Sequence, residues 1–181
     1  MAQSIKFYGM IPLQTHRIII REYQNTDFDS FATLMADPEV MRYSINGPIL
    51  DREKVANYFQ KRILDHYRAR GYGLYAVENK QDHTIMGYVG LIDQKIDDED
   101  KVELGYRLMP HYWGQGYARE ACRAVCNYAA EILGLNDVIA IIDPLNQRSL
   151  AVAKALGMQL WRNAIFHSIP VEIYFLKLPV R

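Results

Sequence analysis

A glycine-rich turn stands between a strand-like segment and a strongly amphipathic one, at Trp113-Gly114-Gln115-Gly116-Tyr117-Ala118. Residues 102–108 alternate apolar and polar side chains, which predicts a β-strand. After the turn, apolar residues recur every three or four positions over residues 118–133, which predicts a helix with one buried face. A strand that passes through a glycine turn into a helix can present backbone N–H groups to an anion.

Gly114 and Gly116 are the residues that make this turn a candidate anion site. Glycine adopts the left-handed backbone conformations that point N–H groups outward, and the first helical turn adds unpaired N–H groups and the positive end of the helix dipole. A pyrophosphate fits such a site. The alternative is a tight turn that needs positive φ angles and binds nothing.

Two common nucleotide-binding patterns are excluded at this turn. The dinucleotide pattern G-x-G-x-x-G requires a third glycine where the chain has Arg119, and the Walker pattern requires a lysine after the glycines. A different cofactor that carries a pyrophosphate remains open.

The composition predicts one globular domain over residues 1–181. Hydrophobic residues make up 50% of the chain and charged residues 23%, which are ordinary values for a folded domain. Lys plus Arg and Asp plus Glu number 21 each, so no overall field favours nucleic acid or an anionic membrane as a partner. The first twenty residues resemble neither a signal peptide nor a membrane span, and we expect a cytoplasmic protein.

The cysteines and histidines do not predict a metal site or a disulfide framework. Cys122 and Cys126 fall on one face of the predicted helix, where small side chains suit a core. The five histidines are scattered without metal-ligand spacing.

The order of predicted elements indicates an α/β (α+β) domain with a mixed, mostly antiparallel central sheet and helices on both faces. The short apolar strand at 138–142 is expected to lie parallel to the strand at 102–108. Asp51 and Asn146 are predicted helix N-caps. Strands are predicted at 18–23, 74–78, 84–92, 102–108, 138–142, 160–166 and 171–178, and helices at 26–36, 51–70, 118–133 and 146–156.

The glycine turn resembles the acetyl-CoA loop of the GNAT superfamily, whose pattern is Q/R-x-x-G-x-G/A. Gly116 and Ala118 stand at its last two fixed positions, and Trp113 stands where Gln or Arg is usual. The run from Tyr112 through Ala118, followed by Glu120-Ala121, is similar to the ribosomal-protein alanine acetyltransferases of the RimJ/RimL type.

The resemblance extends over nearly the whole chain in the expected order. Besides the loop, five segments match that branch: residues 15–21, 37–43, 104–108, 146–149 and 156–158. None of them identifies the acceptor.

The resemblance implies that acetyl-CoA is the cosubstrate and lies in a wedge between the fourth and fifth strands of the fold, here residues 102–108 and 138–142. Gly105 interrupts the first of these, where glycine often marks a bulge or a close backbone approach. Pantetheine is then expected to pair with backbone groups of Leu108 and Met109 at the strand end. The expected cofactor contacts are Leu108, Met109, Gly114, Gln115, Gly116, Tyr117, Ala118, Asn146 and Ser149.

Glu103 is the candidate general base, because several family branches place a glutamate near this position that acts directly or through water. The alternative is an exposed or ion-paired strand residue. Many family members protonate the departing thiolate with a tyrosine on the next helix, and the corresponding residue here is Ala153. Because an α-amine is neutral far more often than a lysine at pH 7, we expect an α-amine or another amine of low pKa as acceptor.

The predicted function is transfer of an acetyl group from acetyl-CoA to a primary amine of a protein N-terminus or a small molecule. Ala153 and Trp113 motivate one alternative, a catalytically weak acyl-CoA-binding or regulatory module. A pyrophosphate-binding protein for another nucleotide is a second alternative. The apolar C-terminal hairpin at 173–176 is compatible with a monomer or a homodimer.

Overall fold

The computed structural model describes residues 12–179, and an eight-stranded sheet runs through them in the order β1-β2-β3-β4-β5-β6-β8-β7. Every neighbouring pair is antiparallel except β5 and β6, which are parallel. The strands are β1 (Leu13–Gln14), β2 (Ile18–Arg21), β3 (Leu74–Asn79), β4 (Ile85–Ile96), β5 (Glu99–Leu108), β6 (Asp137–Ile142), β7 (Gln159–Phe166) and β8 (Ile169–Lys177).

Five α-helices connect the strands in the described range. They are α1 (Phe28–Ala36), α2 (Arg52–Tyr58), α3 (Asp65–Arg70), α4 (Tyr117–Glu131) and α5 (Gln147–Leu156). A π-helical segment (Phe59–Leu64) joins α2 to α3, and 3₁₀ turns occupy Asn25–Asp27 and Pro110–Tyr112.

Helices cover both faces of the sheet. Tyr88 of β4 lies opposite Arg107 of β5 and stacks on Phe31 of α1 with ring centroids 6.3 Å apart. Tyr106 is the neighbour of Arg107 and leaves the opposite face, because side chains alternate along a strand. Its hydroxyl donates to Ser149 of α5 over 3.3 Å. The predicted mixed, mostly antiparallel sheet with helices on both faces is confirmed.

The observed strands differ from the predicted ones in number and length. β1 is too short for a periodic pattern to reveal, so the fourth and fifth strands of the prediction are β5 and β6. The hairpin between β4 and β5 turns at Asp97 and Asp98 alone, whereas the predicted strands at 84–92 and 102–108 leave residues 93–101 outside both. Asp97 makes this tight turn possible by taking a left-handed φ of 52°.

The predicted helix over 51–70 is present but not uniform. Asp51 caps it by accepting hydrogen bonds from the backbone N–H groups of Glu53 and Lys54, and Gly71 ends it with a φ of 75°. The π-helical segment in between has a wider hydrogen-bond pattern that side-chain periodicity does not reveal.

Gly105 does not mark the bulge that was expected there. The pairing of β4 with β5 runs without a register shift, and Gly105 lies opposite Gly90. A Cβ at position 105 would meet the Cδ1 of Ile92 at 3.1 Å. The missing side chain therefore leaves room for Ile92. Close backbone approaches are instead at Gly90, where a Cβ would lie 2.0 Å from the Gly73 carbonyl oxygen, and at Gly87, where it would lie 2.1 Å from the Arg107 carbonyl oxygen.

Cys122 and Cys126 lie in the core face of α4, as predicted, and both are buried free thiols. Burial raises the pKa of the Cys122 thiol well above its usual value and that of Cys126 to about 12. Residues 12–179 contain no group of three or more His, Cys, Asp or Glu side chains placed to hold a metal ion. No helix in this part of the chain has the length and apolarity needed to cross a membrane.

Candidate active site

The two parallel strands of the sheet separate at their carboxyl ends. Glu103 of β5 pairs with Ile139 of β6, as the predicted parallel arrangement requires. Beyond this pair, toward Leu108 and Ile142, the register of the described strands contains no further pairing between them. The sheet is therefore open at this end, at the predicted position of the wedge.

Backbone groups of β5 face this opening. The Met109 N–H donates to the Met86 carbonyl of the neighbouring segment over 2.9 Å, so odd-numbered residues of β5 direct their backbone groups toward β4. The groups of even-numbered residues point the other way because the direction alternates along a strand. The N–H groups of Tyr106 and Leu108 consequently face the wedge. Tyr106 was not predicted as a cofactor contact, and only the register identifies it.

The backbone of Met109 is not available as expected. Its N–H is bonded to Met86, and its carbonyl accepts from the N–H of Tyr112 over 3.0 Å. The carbonyl of Leu108 accepts from the indole Nε1–H of Trp113 over 2.7 Å. Of the two residues predicted to pair with pantetheine, Leu108 therefore presents its N–H group to the wedge and Met109 does not.

The glycine turn has the backbone conformation that its sequence predicts. Gly114 has a φ of 74° and Gly116 a φ of 82°, and Gly116 is the N-cap residue of α4. A Cβ at position 114 would meet no atom within 4 Å. The structure thus brings Gly114, Gln115, Gly116, Tyr117 and Ala118 together at the exposed start of a long helix, where backbone N–H groups are unpaired.

Arg17 holds this turn from the other end of the chain. Its Nη1 donates to the Gln115 carbonyl over 2.9 Å, and its Nε and Nη2 each lie 2.7 Å from a Glu120 carboxylate oxygen. The guanidinium also stacks 4.0 Å from the centre of the Tyr117 ring. One side chain therefore fixes the glycine turn to the first turns of α4.

Glu120 is the anionic partner in this arrangement. Burial alone would raise the pKa of Glu120, but hydrogen bonds from Thr15 and Arg17 outweigh it and the pKa is lowered. Thr15 donates through Oγ1 over 2.5 Å and the Arg17 backbone N–H over 3.0 Å. Glu120 therefore stays ionised beside the anion site, and Arg17 neutralises it. Residues 15–21 and the glycine turn both resemble the same family, but the sequence does not reveal that Arg17 and Glu120 are in contact.

The start of α5 forms the other wall of the site. The Asn146 side chain accepts from the Ser149 N–H over 3.1 Å, which confirms Asn146 as the N-cap. The Ser149 hydroxyl accepts from Tyr106, a wedge-facing residue of β5. The Arg148 guanidinium lies 4.5 Å from the centre of the Trp113 ring. The start of α5 is thus placed next to β5 through Ser149 and next to Trp113 of the glycine turn through Arg148.

Glu103 lies on the face of β5 that carries Arg107, away from Tyr106. It is partly buried, and the Gln94 side chain donates to its Oε2 over 2.6 Å. Burial raises the pKa of Glu103, although Gln94 and the charge of Arg107 act in the opposite direction. No ion pair involves Glu103 within residues 12–179. A carboxylate with a raised pKa can accept a proton near neutral pH more readily than an ordinary one.

Ala153 occupies the position on α5 at which the family resemblance would place a tyrosine acid. Ala153 is 2% exposed and packs in the core of the protein. Because a buried methyl group cannot transfer a proton, the thiolate must obtain its proton from water or from another residue.

Residues 17–159 match the acetyltransferase (GNAT) domain family, which covers the glycine turn, the wedge and the start of α5. The chain belongs to the GNAT superfamily. It is 32% identical over 165 residues to the uncharacterised protein YkkB of Bacillus subtilis (strain 168), an alignment that covers 90% of this chain and 93% of that protein.

Solved GNAT structures share the fold. The ribosomal-protein-S5-alanine acetyltransferase of Vibrio fischeri superposes with a TM-score of 0.77 at 16% identity, covering 93% of this chain and 97% of that one. The spermidine N-acetyltransferase of Vibrio cholerae, in complex with CoA and spermine, superposes with a TM-score of 0.76 at 17% identity, covering 91% and 97%.

Membership in the GNAT superfamily identifies the protein as an acetyltransferase that depends on acetyl-CoA. The open end of the sheet, the glycine turn and the helix start after it suit this cofactor, because they offer strand-like backbone pairing and an anion site side by side.

Proposed function

We propose that this protein transfers the acetyl group of acetyl-CoA to a primary amine, either the α-amine of a protein N-terminus or an amine of a small molecule. The observation that carries the proposal is the opening between β5 and β6, with the glycine turn on one side and Glu103 beside it. The cofactor site and a candidate base thus meet at one end of the sheet.

The cofactor is proposed to bind through the backbone. The pyrophosphate of acetyl-CoA binds the N–H groups of the turn from Gly114 to Ala118, where Arg17 cancels the charge of Glu120. Pantetheine pairs with the wedge-facing backbone of Tyr106 and Leu108, in the manner of an added strand. Asn146 and Ser149 contact the cofactor from α5.

The reaction is a direct acyl transfer. The lone pair of the neutral amine attacks the thioester carbonyl carbon, a C–N bond forms, and the C–S bond breaks with its electron pair on sulfur. Glu103 takes the amine proton directly or through one water. The thiolate, with a reference pKa of about 8.5, receives a proton from water or from Ser149.

The acceptor is proposed to be an α-amine or another amine of low pKa. An α-amine has a reference pKa of about 7.7–8.0 and a lysine about 10.4, so the α-amine is neutral several hundred times more often at pH 7. A single glutamate without a tyrosine acid suffices for such an amine. The similarity to the RimJ/RimL type points to protein N-termini, whereas the fold is shared with a spermidine N-acetyltransferase.

The proposal is tested by binding and turnover on the intact protein. We expect titration calorimetry to show acetyl-CoA binding and no comparable binding of ATP or NAD. We expect an amine panel to release free CoA thiol in proportion to N-acetylated product. Acetyl-CoA binding without turnover on any amine would favour the weak acyl-CoA-binding module that Ala153 suggests. Preferential binding of ATP or NAD would overturn the cofactor assignment.

The type of amine is tested with two peptides of the same sequence. One has a free N-terminus and no lysine, and the other has a blocked N-terminus and one lysine. We expect faster acetylation of the free N-terminus at pH 7, by about 10-fold or more, because of its larger neutral fraction. Faster acetylation of the lysine peptide would contradict this preference.

We further propose a cytoplasmic enzyme that acts as a monomer or a homodimer and needs neither nucleic acid nor membrane. The balance of charges supports this proposal. Light scattering of the purified protein tests the oligomeric state.

A further inference from the structure

Arg107 is the residue before Leu108 at the open end of β5. It lies opposite Tyr88 on β4. Glu103 is four positions earlier on β5, opposite Ile92, and therefore on the same face of the sheet as Arg107. Tyr88 stacks on Phe31 of α1, so this is the face that α1 covers. The side chain of Arg107 is thus at the carboxyl end of the strand, on the same face as the proposed base.

Arg107 differs from the other partly buried arginines in its partners. Four arginines between residues 12 and 179 are partly buried: Arg17, Arg21, Arg107 and Arg162. The guanidinium groups of the other three form ion pairs with carboxylates. Within the same described range no carboxylate lies at ion-pair distance from Arg107, whose Nη1 donates to the Tyr88 hydroxyl.

A partly buried cation outside ion-pair distance of any carboxylate is unfavourable, because burial removes some of its water and the charge of Glu103 acts on it only from a longer distance. A guanidinium presents its N–H groups as a planar fork that fits a carboxylate with two parallel hydrogen bonds. Tyr88 uses one of these donors and holds the side chain in place. The remaining donors can bind an anion.

The cofactor phosphates do not account for this site. They are assigned to the glycine turn before α4, and on the opposite face of β5 Tyr106 contacts Ser149 of α5 and interacts with Cys122 of α4. Arg107 is on the face of Glu103, where the amine must approach. An anion at Arg107 therefore belongs to the molecule that carries the amine.

We propose that Arg107 binds a carboxylate of the acceptor, so that the substrates are amines that also carry a carboxylate, such as free amino acids. This inference rests on the proposed acetyl transfer to an amine and narrows its substrate class. Free amino acids provide both groups, because each carries an α-amine and a carboxylate a few ångströms apart.

The test compares amino acids with the matching amino-acid amides, which lack the carboxylate. For wild type and Arg107→Met, kcat/KM is measured with both sets, and the ratio of carboxylate to amide is calculated. We expect the ratio to fall about 10- to 100-fold in the variant, as for the loss of a charge-assisted hydrogen bond. The comparison of ratios removes the difference in amine pKa between the two sets. Arg68→Met, at an exposed arginine of α3, is the control and should leave the ratio unchanged.

Two results would overturn the inference while acetyl transfer stands. Arg107→Met could lower kcat/KM equally for both sets, which indicates a structural role with Tyr88. Alternatively, Arg107→Met could weaken acetyl-CoA binding by the same factor by which it lowers kcat/KM. That result would mean that Arg107 binds an anionic group of the cofactor and not of the acceptor. A wild type that acetylates other amines of the panel but neither set would also overturn the inference, and one that acetylates no amine at all would overturn the proposed function itself. Arg107→Lys should recover part of the ratio, because it keeps the charge and loses the planar fork.

Discussion

The proposed cofactor side and the proposed acceptor side of the wedge are held in different ways. The glycine turn is fixed by Arg17, which comes just before β2 in the chain. Its guanidinium donates charged hydrogen bonds to Glu120 of α4 and to the Gln115 carbonyl. On the acceptor side, the segment between α1 and α2 reaches across the site with Tyr43, whose hydroxyl donates to the Leu145 carbonyl over 3.2 Å. The same segment leaves Leu50 77% exposed.

The difference reflects what each side must recognise. Acetyl-CoA is a single fixed molecule, so a rigid backbone site with a short motif can serve it. Acceptors differ, and loops can vary without disturbing the sheet. If the two sides are independent, substitutions on one side should change cofactor affinity and those on the other should change rate.

The largest expected effect is on rate. Glu103→Gln should lower kcat by about 10²- to 10⁴-fold, since a general base contributes that much, while acetyl-CoA affinity stays unchanged. Steady-state kinetics and calorimetry measure the two quantities. Glu99→Gln, on the same face of β5 but away from the wedge, is the matched control and should keep the wild-type rate. Unchanged turnover and pH profile in Glu103→Gln would remove Glu103 from the mechanism.

The second-largest effect is on the affinity for acetyl-CoA, and it is tested by comparing one glycine at each end of α4. Gly116→Asp should weaken acetyl-CoA binding roughly 100-fold, because it strains a left-handed backbone position and sets a negative charge against the pyrophosphate. Gly134 has a φ of 68° after the same helix, so Gly134→Asp carries similar strain without touching the cofactor. We expect both variants to lose stability and only Gly116→Asp to lose affinity. Equal affinities in calorimetry would place the cofactor elsewhere.

Arg17→Met should weaken acetyl-CoA binding about 10-fold, because it leaves Glu120 as an uncompensated anion beside the phosphates. Adding Glu120→Gln should recover part of the loss, since the repulsion is then gone. Arg52→Met breaks an exposed ion pair with Asp29 on the acceptor side and serves as the control with unchanged affinity. A double variant that binds no better than Arg17→Met would show that Arg17 does not act through Glu120.

The smallest effect is a shift in pH dependence. Glu103 must be ionised to accept a proton, and burial raises its pKa, so activity should fall on the acid side at a higher pH than for an ordinary carboxyl group. The Gln94 hydrogen bond stabilises the ionised form and lowers this pKa. Gln94→Leu should therefore move the acid limb of kcat/KM to still higher pH. An unmoved limb would mean that Glu103 is not the group that titrates.

The parts of the site that depend on local sequence could be predicted. Positive φ angles at Gly114 and Gly116, the caps at Asp51 and Asn146, and the helix after the turn follow from neighbouring residues. Each of these features depends on a few consecutive positions, where residue type and backbone conformation are directly linked.

The parts that depend on pairing between distant segments could not be predicted. Arg17 and Glu120 are far apart in sequence, and neither carries a local pattern that indicates the other. The direction of the Tyr106 and Met109 backbone groups depends on the β4–β5 register, which alternation alone does not set. The bulge wrongly predicted at Gly105 has the same origin, because the neighbour that needs the space, Ile92, belongs to another strand.

The two thiols of α4 bear on how the enzyme can be studied. Cys122 and Cys126 are buried, and their raised pKa values leave almost no thiolate at neutral pH. A chromogenic disulfide reagent reacts with thiolates in contact with solvent, so in the folded enzyme it should count coenzyme A and not the protein. Denaturation would add two reactive thiols per chain, and the same reagent would then report the unfolded fraction.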